Sequence, residues 1–298
     1  MSWKNNINDF SHYMKIERGL SENSIKNYLI DINELKHFIQ KNRINEIPEN
    51  CSKETIKEFI YTQSKINSPF TQARRISGLK SFFNFLVFEK YIKTSPVELI
   101  ESPKLGRKLP EIISLKEIEL IMSKIYLNNF LGYRNRAIVE TLYGSGLRVS
   151  ELINLNISNI FFKENLIKVI GKGRKERLVP LGNYSKKYIK LYIKKYRSKL
   201  NILSTDSDVL FLNRRGNKIS REMIFLIIKN IVKTSGIKKK ISPHTFRHSF
   251  ATHLLENGAD LKVIQIMMGH ESITTTEIYT HLDNKYLKKV LIKHHPRN

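Results

Sequence analysis

The sequence predicts a mainly α protein, with a small N-terminal helical bundle joined to a larger α-rich domain that carries one small β-hairpin or sheet. Three observations predict it. Apolar residues recur at i, i+3, i+4, i+7 over long stretches, the period of one helix face. Two short β-branched runs flank a glycine-bearing turn between residues 170 and 177. A stretch interrupted by Pro96, Pro103, Gly106 and Pro110 breaks every period, and it divides the chain near residue 106 into domains 1–105 and 106–298. At 298 residues and 41% hydrophobic content the chain can fill two cores, which excludes disorder.

In the first domain, Ser21 is a good N-cap for a helix through Ile25, Tyr28, Leu29, Ile32, Leu35, Phe38 and Ile39. A second helix follows from Ser52 through Ile56, Phe59 and Ile60. A third carries Ile76, Leu79, Phe82, Phe83 and Leu86, with Arg74 and Arg75 near its start, placed either on phosphates or on a solvated face. The second domain opens at Ser114-Leu-Lys-Glu117, a capping box. Leu166–Ile170 and Arg177–Leu181 read as hairpin strands around Gly171-Lys-Gly-Arg-Lys-Glu176. Beyond Arg221 the pattern is helical: Ser242-Pro243 starts one helix and Gly258 ends it, while Asp260 caps the next and Gly269 closes it.

Lys and Arg number 52 against 27 Asp and Glu, a formal charge of +25. The surplus is uneven, with 16 basic and 12 acidic residues before position 106 and 36 and 15 after it. A polyanion is the partner such a balance suits, although 36 of the basic residues are Lys in a chain crowded with Ile and Asn, as codon bias would also produce. The lone Cys51 excludes an intrachain disulfide and a cysteine-based zinc cluster and fits a reducing cytoplasm. The N-terminus has no apolar signal core, and Phe82–Phe88 is too short to span a bilayer, so a cytoplasmic protein without membrane contact is expected.

Several residues carry chemistry. His244-Thr-Phe-Arg247 sets two phosphate-seeking side chains on one helix face. His244 and His248 are also spaced like a zinc pair, but no Glu follows His244 and no third ligand is evident, so no metal is expected. In Tyr143-Gly-Ser-Gly-Leu-Arg148-Val-Ser-Glu151 a helix stops at glycines and an arginine opens a new one. Backbone amides and the macrodipole favour an anion there, and Glu151 one turn on can orient Arg148. Gly269-His270 leads on to Tyr279.

The ordered set of Arg148, Lys172 in the hairpin turn, His244, Arg247, His270 and Tyr279 resembles the tyrosine recombinase family. Its surroundings resemble the Xer branch: Gly146-Leu-Arg148-Val-Ser-Glu-Leu152, Val169-Ile-Gly-Lys172-Gly-Arg-Lys-Glu-Arg-Leu-Val-Pro-Leu181, Pro243-His-Thr-Phe-Arg247-His-Ser-Phe-Ala-Thr-His-Leu-Leu255, Gly258–Gln265 and Met268-Gly-His270. The likeness runs along essentially the whole chain. It implies that all six are catalytic, with Tyr279 forming a 3′-phosphotyrosyl link to DNA, strand exchange in two pairs through a Holliday junction, and no ATP, metal or other cofactor. It also implies a SAM-like core-binding domain and a catalytic domain in a C-shaped clamp around double-stranded DNA bearing a dif-like site. Further implications are a XerC-like partner recombinase in a heterotetramer, room for an FtsK-type translocase, and resolution of chromosome dimers at cell division. In the family a C-terminal tail such as Asn284–Lys293, with Tyr286, Leu287, Val290 and Leu291 on one side, docks into the neighbouring protomer; the alternative is that it packs on its own domain.

The residue types suit transesterification of a phosphodiester. Two guanidiniums, Arg148 and Arg247, match the charge that develops on the non-bridging oxygens. A phenol of pKa about 10 needs its proton removed, for which His244 is the candidate base, and Lys172 is the candidate acid for the leaving 5′-oxygen. His270 can bond the phosphate or place the arginines. Phage and transposon integrases share the six residues, a type IB topoisomerase uses related chemistry, and a non-catalytic DNA-binding relative is the alternative from another class, against which the intact nucleophile argues.

Overall fold

A computed structural model describes residues 2–106, 111–171, 175–269 and 284–297. Two compact units divide the chain, Met1–Lys108 and Leu109–Asn298.

The described part of the first unit holds four helices, α1 (Trp3–Ile16), α2 (Glu22–Lys41), α3 (Lys53–Ser64) and α4 (Pro69–Phe88). Each begins at a serine, Ser2, Ser21, Ser52 or Ser68, whose side chain accepts from the amide three residues on and satisfies one of the orphan donors of the first turn. The core is aromatic, with Phe10, Phe59, Phe82 and Phe83 fully buried and Phe10 meeting Phe82 edge to face at 5.3 Å. Within it Asp31 is buried and accepts from Arg74 through both oxygens. Gly78 makes room for that carboxylate, since a Cβ there would lie 2.9 Å from it. Arg75 is buried too, 3.5 Å from Asp31 and bonded to Gln63. The two arginines thus hold α4 to α2 through Asp31, where the sequence suggested phosphate contacts or a solvated face.

The second unit contains α5 (Leu115–Ser123), α6 (Phe130–Gly144), α7 (Val149–Ile153), β1 (Ile160–Phe161), β2 (Leu166–Ile170), β3 (Glu176–Pro180), α8 (Asn183–Lys195), α9 (Arg221–Ser235), α10 (Pro243–Glu256), α11 (Leu261–Met268) and α12 (Asn284–His294). Ser114 and Glu117 form the capping box of α5. The sheet is antiparallel in the order β1-β2-β3, and Val169 pairs with Arg177 in its hairpin. Helix α6 is buried along most of its length, with α8 packed on it through Tyr188, Ile189 and Tyr192 and α10 through Phe246, Phe250 and Leu254. Asp260 caps α11 by accepting from Lys262 and Val263, and Gly269 closes it at φ +64°. Among the described residues no helix is long and apolar enough to cross a membrane.

Leu287, Val290 and Leu291 of the C-terminal helix are buried in the core of their own unit, where α12 packs on β3 and α10. Polar and aromatic contacts beyond the helix explain the hold. Asn257 donates to the His294 carbonyl at 2.7 Å, and Arg297 pairs with Glu140 at 2.8 Å and lies over the Tyr184 ring. His295 sits between the rings of Tyr143 (4.8 Å) and Phe250 (5.4 Å).

Burial pushes the His295 imidazole down to about 4, and the nearby His253 and Arg297 add to the effect. Its folded value lies below the unfolded value near 6.5, so the unfolded chain binds more protons between them. This contribution to stability is complete above pH 6.5, falls as the pH drops towards 4, and amounts to about 3 kcal/mol. Denaturant titrations from pH 7 to pH 4 are expected to show a shallower loss for His295→Phe than for the parent chain; identical slopes would refute this account.

Candidate active site

The site grows from the end of α6. Gly146 turns the chain at φ +57°, a left-handed conformation that costs an L-residue with a side chain, and a Cβ there would sit 2.5 Å from the Phe250 ring. Leu147 is fully buried, which leaves Arg148 at the N-cap of α7. We expect Gly146→Ala to destabilise the second unit by about 2–4 kcal/mol, from strain and overpacking together, measured by chemical denaturation.

Helix α7 is five residues long, and the Arg148 amide donates to Glu151 at 2.8 Å. Glu151 thus takes the amide of the N-cap residue, as a carboxylate near a helix N-terminus should, and holds Arg148 in place. Arg148 donates through Nη1 to Glu151 (2.9 Å) and through Nη2 to the Gly269 carbonyl (2.8 Å), with 38% of its side chain exposed.

On α10, the fully buried Phe246, Phe250 and Leu254 fix the rotation of the helix. His244 is exposed, whereas the Arg247 side chain is only 6% exposed. Arg247 donates to the Gly146 carbonyl at 2.6 Å and to the Met268 carbonyl, and lies 3.8 Å from Glu151. Burial pushes its guanidinium down to about 9, Arg148 and Arg177 repel it, and Glu151 opposes them, so it stays charged at neutral pH. Arg148, His244 and Arg247 line one pocket of about 400 Å³ together with His248, Gln265 and Met268.

The structure thus brings three of the six expected residues together. Lys172, His270 and Tyr279 lie outside the described residues. Gly171, one residue beyond the end of β2, donates at 2.8 Å to the carbonyl of Lys175, one residue before the start of β3.

Spacing did not reveal Arg177. Its Nη1 and Nη2 donate to the two Glu151 oxygens at 2.7 and 2.9 Å, and its Nε donates to the Met267 carbonyl at 3.1 Å. Burial works to raise the Glu151 carboxyl, but the hydrogen bonds and charge of Arg177, followed by the bonds from Arg148, hold it below the usual carboxylate range. Around this one carboxylate stand three guanidiniums, an excess of positive charge suited to a phosphate.

A mainly helical unit with an arginine-lined pocket suits an anion such as a phosphate ester, and comparison with known proteins narrows the class. Residues 111–285 match the Phage integrase family and residues 7–90 match the Phage integrase, N-terminal SAM-like domain. Tyrosine recombinase XerD of Oceanobacillus iheyensis is 41% identical over 292 residues, covering 98% of each chain. The crystal structure of XerA recombinase is similar at 30% identity and a TM-score of 0.51, covering 100% of both chains. XerH recombinase, in a post-cleavage complex with a palindromic difH substrate, shares the fold at a TM-score of 0.69 and 24% identity, over 95% of this chain and 83% of that one. The chain belongs to the phage integrase family, the tyrosine recombinases. It is a DNA strand-exchange enzyme of the Xer branch.

Proposed function

We propose that this recombinase works in the cytoplasm at dif-like chromosomal sites, with a XerC-like partner in a heterotetramer and under an FtsK-type translocase, to resolve chromosome dimers at cell division. Residues 1–105 serve as the core-binding domain and residues 106–298 as the catalytic domain. The observation that carries the reading is one pocket lined by Arg148, His244 and Arg247, with the Glu151 carboxylate behind it paired to both Arg148 and Arg177.

In this reading Arg148 and Arg247 hold the non-bridging oxygens of the scissile phosphate and stabilise the charge that grows on them. His244 accepts the Tyr279 phenol proton as Tyr279 attacks phosphorus, and Lys172 donates a proton to the departing 5′-oxygen. His270 positions the phosphate. The phosphotyrosyl bond conserves the energy of the broken phosphodiester, so a 5′-hydroxyl of another strand reverses the step without hydrolysis. Similarity to curated XerD proteins over nearly the full chain supports the dif assignment.

The test is incubation of the full chain, without ATP or added metal, with a nicked duplex carrying a dif-type site and a XerC-type partner. A protein–DNA band that survives denaturation is the expected result. No band with both supplied would overturn the reading in favour of DNA binding alone.

A further inference from the structure

Three arginines converge on Glu151, yet the proposed chemistry uses only two of them. Arg177 is not part of the pocket lining. Its side chain is 15% exposed, and each of its three nitrogens is already engaged. Glu151 is 2% exposed and braces Arg148 through both its backbone amide and its guanidinium. A buried carboxylate in that place would by itself cancel one of the two positive charges offered to a phosphate.

We infer that Arg177 is a positioning residue that neutralises Glu151, so that Glu151 can brace Arg148 without subtracting charge from the phosphate pocket. The inference rests on the strand-cleavage reading above. The fork of Arg177 matches the carboxylate with one nitrogen on each oxygen, a geometry lysine cannot supply. The remaining nitrogen ties Arg177 to the end of α11, where three successive carbonyls are each taken by a different arginine, Met267 by Arg177, Met268 by Arg247 and Gly269 by Arg148. Gly269 also makes room for this arrangement, since a Cβ there would lie 3.0 Å from Arg177 Nε. Arg177 stands opposite Val169 on β3, so that strand is fastened to the same carboxylate as Arg148.

A residue that only fastened strands together would be indifferent to the charge of its partner, and this separates the two roles. The rate of covalent adduct formation on the nicked dif-type duplex is measured for the parent chain, R177K, R177Q, E151Q and R177Q/E151Q, each with a melting curve. R177Q is expected to slow the step by roughly 10²-fold through displaced arginines and an uncompensated carboxylate. R177K keeps the charge and loses less. Adding E151Q to R177Q removes the uncompensated charge and restores the rate by roughly tenfold over R177Q, a coupling that additive structural damage does not produce. If R177Q does not fold, the double variant must still fold and cleave faster than background. A parental rate in R177Q, a double variant slower than R177Q, or a double variant no faster than background would overturn the inference while the parent chain still forms adduct. Absence of adduct from the parent chain would overturn the functional reading itself.

Discussion

Tyr279→Phe is expected to abolish the denaturation-resistant DNA adduct while leaving DNA binding nearly unchanged. The change removes one oxygen, the proposed nucleophile, and no other side chain of the assigned set can take its place: the arginines stay protonated at neutral pH, and a phosphoramidate through histidine or lysine would not yield the stable phosphotyrosyl bond. Affinity rests instead on the many Lys and Arg side chains of a chain with a formal charge of +25. Denaturing electrophoresis measures the adduct and a native mobility shift measures binding. A persisting adduct in Tyr279→Phe would displace Tyr279 from the role of nucleophile.

Arg247→Lys is expected to slow adduct formation by about 10²–10³-fold, the cost of losing a preorganised donor aimed at developing charge. Lysine preserves the formal charge but offers one nitrogen where Arg247 binds the Gly146 and Met268 carbonyls with two. Those carbonyls belong to the turn before Arg148 and the end of α11, so the substitution disturbs the neighbouring guanidinium as well. A buried carbonyl left without a donor also lowers stability by about 1–3 kcal/mol. The matching change at Arg148, whose side chain is 38% exposed, should cost less stability, because water can serve the Gly269 carbonyl. Single-turnover cleavage rates and denaturation curves of the two variants check this ordering, and equal stability losses would contradict it.

Much of this architecture was legible in the residues. Serine caps, the Ser114–Glu117 box, the glycine-bearing hairpin and the Asp260 and Gly269 limits of α11 are local devices, each set by neighbours a few positions away. Helix α1 escaped because Asn5, Asn6 and Asn8 weaken its propensity, and apart from its Ser2 cap it is supported by the burial of Trp3, Ile7, Phe10 and Met14. The site divides along the same line. Arg148 and Glu151 are close in sequence and were paired by spacing. Arg177 looked like any charged residue on a half-exposed strand, and its role depends on a carboxylate 26 positions away and on a backbone carbonyl of α11 that carries no signature in sequence. The carbonyl partners of Arg247 were hidden for the same reason, and the seat of α12 was hidden because an amphipathic helix shows that it needs a cradle without showing whose.

The seat of α12 bears on how copies of this chain could share that helix. Leu287, Val290 and Leu291 already occupy a complete cradle within their own chain. Transfer of the helix to a neighbour would empty one cradle for each one filled, so contact energy would nearly cancel between the two arrangements. The choice between them would then be governed by protein concentration, and synapsis on DNA, which raises local concentration, would act on it as strongly as any new interface.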